Sequence, residues 1–110
     1  MVFAYRDMEY TLDIFMKQPE ALMKKMADSC KARRLERGLS RRSLSERTGI
    51  PTPTIEKFEN TGKISLESFL TLVVEFGYFD EMSQILSKPK YTTGEELDTI
   101  NKNRNRIKGR

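Results

Sequence analysis

Residues 39–62, LSRRSLSERTGIPTPTIEKFENTG, decide how this chain is read. They spell two short helices joined by a tight glycine turn. Ser40 precedes a helical run as a side-chain cap, and Leu44 supplies an inward apolar position. Gly49 closes the first helix, at a position where a left-handed backbone costs glycine least. Ile50 then re-enters the core. Thr52-Pro53-Thr54 opens a second helix in which Ile55 and Phe58 share one face three residues apart. Thr52, Pro53, Glu56 and Lys57 are left pointing outward.

A helix presented in this way, with its N-terminal residues free, is the device that helix-turn-helix proteins lay into the major groove of DNA. The alternative is an ordinary αα-hairpin inside any small helical protein. The flanking sequence argues against it.

At 110 residues the chain has room for one domain with a modest core. With 33% charged residues and a mean hydropathy of −0.62, it reads as soluble. No run approaches the ~18 apolar residues needed to cross a bilayer. The N-terminus lacks the zones of a signal peptide, and the single cysteine, Cys30, cannot form an internal disulfide. A reduced thiol buried in a cytoplasmic protein is expected. There is no histidine, which removes imidazole acid–base chemistry, Ser-His and Cys-His nucleophile pairs and His-based metal sites. The carboxylate pairs Glu95-Glu96 and Asp80-Glu81 are adjacent in sequence and diverge on a helix. The inventory argues against an enzyme and implies no cofactor and no metal.

Charge is distributed unevenly. Residues 20–65 carry +5 and residues 88–110 carry +4, while residues 66–87 hold no basic side chain and four acidic ones, Glu67, Glu75, Asp80 and Glu81. The positive field therefore lies on the helical hairpin and the tail, where a polyanion is held best. The acidic, apolar middle should face another protein or solvent.

Outward from the hairpin, Gln18-Pro19 begins a first helix with Met23, Met26, Ala27 and Cys30 as its apolar stripe, ended by Gly38. Ser65 caps a fourth helix, in which Leu66, Phe69, Leu70, Val73 and Val74 recur at core-packing spacing until Gly77. Residues 80–86 make a short fifth helix before Pro89. Before the first helix, residues 1–17 partly alternate in polarity, which suggests a short N-terminal strand. Pairing with a symmetry mate would satisfy its edges. From Lys88 the composition turns basic and polar. Thr93 with Glu96 is placed to cap one or two helical turns through Leu97 and Ile100. The last ten residues, NKNRNRIKGR, hold five basic groups and read as a flexible arm. The expected organisation is an N-terminal segment (1–17), an all-α, five-helix domain built on the helix-turn-helix (18–87) and a basic tail (88–110).

The pattern resembles the repressor-type, Cro/C1-like (XRE) helix-turn-helix family. The resemblance covers the 45 residues RRLERGLSRRSLSERTGIPTPTIEKFENTGKISLESFLTLVVEFG. It rests on Arg34, Gly38-Leu39-Ser40, Leu44, Gly49-Ile50, Ile55, Phe58-Glu59 and Ser65-Leu66. The resemblance implies a structural ion pair between Arg34 and Glu59. The flanks QPEALMKKM, GYFDEMSQIL and KPK are similar to HipB-like antitoxins, encoded beside HipA-type kinases. That similarity implies an operator-binding, autorepressing homodimer in the cytoplasm, on the nucleoid, with a HipA-like kinase toxin as partner and no membrane. A stand-alone or phage-like repressor without a toxin, or an interaction module that has lost DNA binding, remain open. The chain departs from the family at Arg41, commonly glutamine, and at Pro51, commonly serine, so base preference does not transfer.

Carried over by position, the groove-reading residues fall on Thr52, Pro53, Thr54, Glu56 and Lys57. Lys57 suits guanine O6 and N7, Glu56 suits cytosine N4, and Thr52 or Pro53 suits a thymine methyl. Arg41, Arg42, Asn60 and Lys63 flank the reading helix as candidate phosphate clamps. For each of them the alternative is a solvated helix face. Phe69, Val73, Phe76, Tyr78, Phe79, Met82, Ile85 and Leu86 are too many apolar groups for one helix pair to bury. Part of the set is expected to form a dimer face, with Phe69 and Val73 claimed by the core.

Overall fold

The computed structural model describes residue 12 and residues 16–106. Among them are six helices and no strand: α1 (Pro19–Glu36), α2 (Arg41–Thr48), α3 (Thr52–Thr61), α4 (Leu66–Glu75), α5 (Phe79–Ser83) and α6 (Gly94–Asn103). The strand read over 1–17 falls outside the described residues, apart from Leu12, Met16 and Lys17. There the Met16 N–H donates to the Leu12 carbonyl at 3.0 Å, a helical spacing. The chain divides into two compact units, residues 1–79 and 80–110. The division falls before the 87/88 boundary drawn from composition.

In the first unit, each helix starts and stops for a local reason. Pro19 occupies the first turn of α1, where its missing N–H has no intrahelical partner to lose. The Ser40 hydroxyl accepts from the Ser43 N–H and caps α2, and the Ser65 hydroxyl does the same for α4 through Ser68. Helix α3 follows Pro51 with no side-chain cap. Gly49 and Gly62, both at φ +79°, end α2 and α3 in the left-handed conformation. Thr48 tightens the turn between α2 and α3: its hydroxyl donates to the Leu44 carbonyl at 2.8 Å and accepts from the Ile50 N–H at 3.2 Å.

The core gathers Ala27 of α1, Leu44 of α2, Ile50 of the turn, Ile55 and Phe58 of α3, Leu72 of α4 and Phe76 at its C-cap. Cys30, Leu39, Ile64 and Phe69 pack at its edge. Phe58, Leu44, Ile55 and Leu72 are the largest fully buried side chains. Each contributes ~1.5–3 kcal/mol relative to an exposed position. The Phe58 and Phe69 rings meet edge to face, with centroids 6.1 Å apart.

Helix α4 lies differently from the expected placement. Leu66, Leu70 and Val74, read as core, are 71%, 36% and 56% exposed. The buried residues are Leu72, Val73 and Phe76, with Phe69 half-buried. At 100° per residue the row 66/70/74 sits roughly a quarter-turn or more away from the row 69/72/73/76. Both rows are apolar, and the aromatic one is packed against α2 and α3. Phe76 therefore belongs to the core and not to an outward face. Arg37 and Arg47 hold the end of α4. The Arg37 guanidinium lies 5.3 Å from the Phe76 ring centroid and donates to the Glu75 carbonyl at 2.8 Å, and Arg47 Nη2 pairs with the Glu75 carboxylate at 2.8 Å.

The fifth helix closes at Ser83, short of the expected Leu86. The Ser83 hydroxyl donates to the Asp80 carbonyl at 2.7 Å, and Leu86 takes φ +66°, which a helix does not allow. In the second unit the Thr93 hydroxyl accepts from the Glu96 N–H, and the Glu96 carboxylate accepts from the Thr92 N–H at 2.9 Å. The resulting α6 runs ten residues, longer than the one or two turns expected. Its last residues are Asn101, Lys102 and Asn103, and residues 107–110 of the basic arm lie outside the described residues.

Candidate nucleic-acid interface

Helix α3 is held from three directions at Glu59. Its carboxylate accepts from Arg34 Nε and Nη2 of α1 at 2.8 and 2.9 Å, and from Arg41 Nε of α2 at 2.9 Å. Arg34 also donates to the Leu39 carbonyl at 2.9 Å, tying the α1–α2 connection to the same cluster. The Glu59 main-chain carbonyl, in the last turn of α3, accepts from Lys24 Nζ at 3.0 Å, where a cation also complements the helix dipole. Burial pushes the Glu59 carboxyl up, but the hydrogen bonds and charges of Arg34 and Arg41 outweigh it and hold the group below the usual carboxylate range. The buried pair is thus a charged one. Removing Glu59 leaves the buried Arg34 guanidinium without its carboxylate, at a cost of ~3–5 kcal/mol.

With Ile55, Phe58 and Glu59 turned inward, the opposite arc of α3 is set by helical geometry. Pro53, Glu56, Lys57 and Asn60 are exposed along it, and Thr52 and Thr54 are half-buried at its margins. An open depression is lined by Pro53, Thr54, Lys57, Lys63, Ile64 and Ser65. It brings together four of the residues singled out from sequence. Lys63 is presented by a turn that Thr61 braces: the Thr61 hydroxyl donates to the Lys57 carbonyl at 2.6 Å and accepts from the Lys63 N–H at 3.1 Å. Arg42 stands 86% exposed on α2, with Glu46 3.5 Å away one turn later. Such a surface pair is weak and easily opened. Arg41 differs from the rest, being committed through Nε to Glu59 rather than free in solvent.

Sequence reasoning missed Lys24 and Ile64, read Ser65 only as a helix cap, and missed the second arginine on Glu59. Lys24 and Glu59 lie 35 residues apart, and no local pattern links them. Gly62 was also missed. It is buried against α1, where a Cβ would lie 3.0 Å from the Lys24 nitrogen and the Met23 carbonyl carbon.

The arrangement presents one polar helix face with two lysines beside it, rigidly seated on α1 and α2. Among the described residues no helix is long and apolar enough to cross a membrane. No curated protein and no solved structure matches the chain significantly. Residues 31–78 match the helix-turn-helix family model, nearly the span of the XRE-type resemblance, so this stretch is a helix-turn-helix segment of the kind that DNA-binding transcription regulators carry.

Proposed function

We propose that the protein is a sequence-specific repressor that inserts α3 into the major groove of operator DNA as a homodimer. It represses its own operon and serves as antitoxin to a HipA-like kinase, in the cytoplasm and on the nucleoid. The observation that carries the DNA reading is the outward arc of α3, with Lys57 and Lys63 sharing one depression beside it. Lys57 and Glu56 read base edges with Thr52, Pro53 and Thr54, and Arg42, Asn60 and Lys63 grip phosphates. The exposed row Leu66, Leu70 and Val74 supports pairing of two copies, because an apolar stripe of this length is costly to leave in water. Two reading helices then meet half-sites about one helical turn apart. The kinase partner rests on the similarity of the flanks to HipB-like antitoxins.

Purification of the tagged protein from its native host, with sequencing of the bound DNA and mass spectrometry of bound protein, tests the whole reading. A pseudo-palindrome at the protein's own promoter and a HipA-like kinase are expected. The palindrome without a kinase would favour the stand-alone repressor. A protein partner with no DNA would leave only an interaction module.

A further inference from the structure

Arg41 stands at the first position of α2, and its environment is unusual for a phosphate contact. Its Nε is fixed 2.9 Å from Glu59 Oε1, and Glu59 is itself fixed by two bonds from Arg34. The side chains differ sharply in exposure: 2% for Glu59 and 31% for Arg41. One N–H of the guanidinium thus faces a buried carboxylate, while part of the side chain reaches solvent beside the N-terminus of α2.

A guanidinium has five N–H donors, and the Nε edge uses only one of them. The two Nη groups extend beyond it as the fork that grips a phosphate bidentately. A free surface arginine must surrender much of its rotamer freedom to do this, whereas one already anchored at Nε has surrendered it on folding.

The geometry points to Glu59 as a positioning residue for DNA binding: it holds Arg41 by Nε so that the Nη groups meet a backbone phosphate. This inference rests on the DNA-binding reading above. It assigns a second role to a carboxylate whose bonds to Arg34 otherwise serve the fold. The same carboxylate thereby sets the spacing between the start of α2 and the reading helix, the two elements that meet DNA. Two arginines face one carboxylate, so the Arg34–Arg41–Glu59 cluster carries a formal charge of +1 and still attracts an anion.

The test is a double-mutant cycle on the full chain, with a random-sequence duplex as probe and melting curves recorded for every variant. Glu59→Gln should weaken duplex binding about tenfold when Arg41 is present and less than about twofold in the Arg41→Ala background. Arg41→Ala itself should lower the salt slope by about 0.9 per half-site. Equal losses for Glu59→Gln in both backgrounds would make Glu59 structural only and overturn the inference while the DNA reading stands. Arg41→Lys covers the case in which Glu59→Gln does not fold, since it leaves the Arg34–Glu59 pair intact. It should keep the salt slope yet bind several-fold more weakly. If Arg41→Lys binds as tightly as the parent, a point charge suffices and the inference is wrong. A parent protein that binds no duplex at all would sink the DNA reading first, and this one with it.

Discussion

Gly49 and Gly62 provide a matched pair of substitutions, because both sit at φ +79° and close adjacent helices. An alanine at either position meets the same left-handed penalty, ~1 kcal/mol after the smaller loss of unfolded-state freedom is set against it. Their surroundings differ. A Cβ at Gly49 meets nothing within 4 Å. At Gly62 it would stand 3.0 Å from the Lys24 nitrogen, 3.0 Å from the Met23 carbonyl carbon and 3.2 Å from Met23 Cβ. The first two are backbone atoms within α1, so no side-chain rotation relieves the contact. Helix α1 must move away from the end of α3, straining the Lys24–Glu59 bond and the Arg34–Glu59 pair. Overpacking of this kind adds ~1–3 kcal/mol. Gly62→Ala should therefore lose ~2–4 kcal/mol and Gly49→Ala ~1 kcal/mol. In a domain of this size a difference of 1 kcal/mol moves Tm by ~4–8 °C, so Gly62→Ala should melt at least that far below Gly49→Ala. Far-UV circular dichroism on both variants measures it. Two melting temperatures within about 2 °C of each other would refute the tight seating of α3 on α1.

Three further outcomes follow from the cluster, the α4 row and the cysteine. Because the folded Glu59 carboxyl titrates below its ordinary value of 4.5, its stabilisation is complete above that pH and is lost as pH falls through the folded value. Urea denaturation between pH 6 and pH 3 should show stability falling below about pH 4.5, and Glu59→Gln should flatten that limb; an unchanged limb would remove Glu59 as its source. Val74→Glu, on the exposed row of α4, should leave melting of a monomer nearly unaltered but shift sedimentation from dimer to monomer. A dimer that persists would move the interface elsewhere. Burial raises the Cys30 thiol to about 11, so a thiol reagent at pH 8 should label the folded protein far more slowly than the urea-unfolded chain. Equal rates would contradict its packing beside the core.

The starts of α1 to α4, the turn between α2 and α3, and the outward face of α3 were legible in the sequence. Those features depend on interactions within a few residues: Ser40 and Ser65 on the amides three positions later, Gly49 in a conformation other residues resist, and Ile55 and Phe58 repeating at the helical period. Tertiary structure alone decided the face of α4. Its residues form two apolar rows of similar strength, and only the shape of the surface offered by α2 and α3 selected Phe69, Leu72, Val73 and Phe76 over Leu66, Leu70 and Val74. It also decided the partners of Glu59. The family resemblance pointed to Arg34, but Arg41, 18 residues away, and Lys24, 35 residues away, are two among twenty cationic side chains. Periodicity orders residues around one helix axis. It carries no information on how closely two axes approach, and that distance determines which cation reaches a buried carboxylate or the last carbonyls of the reading helix.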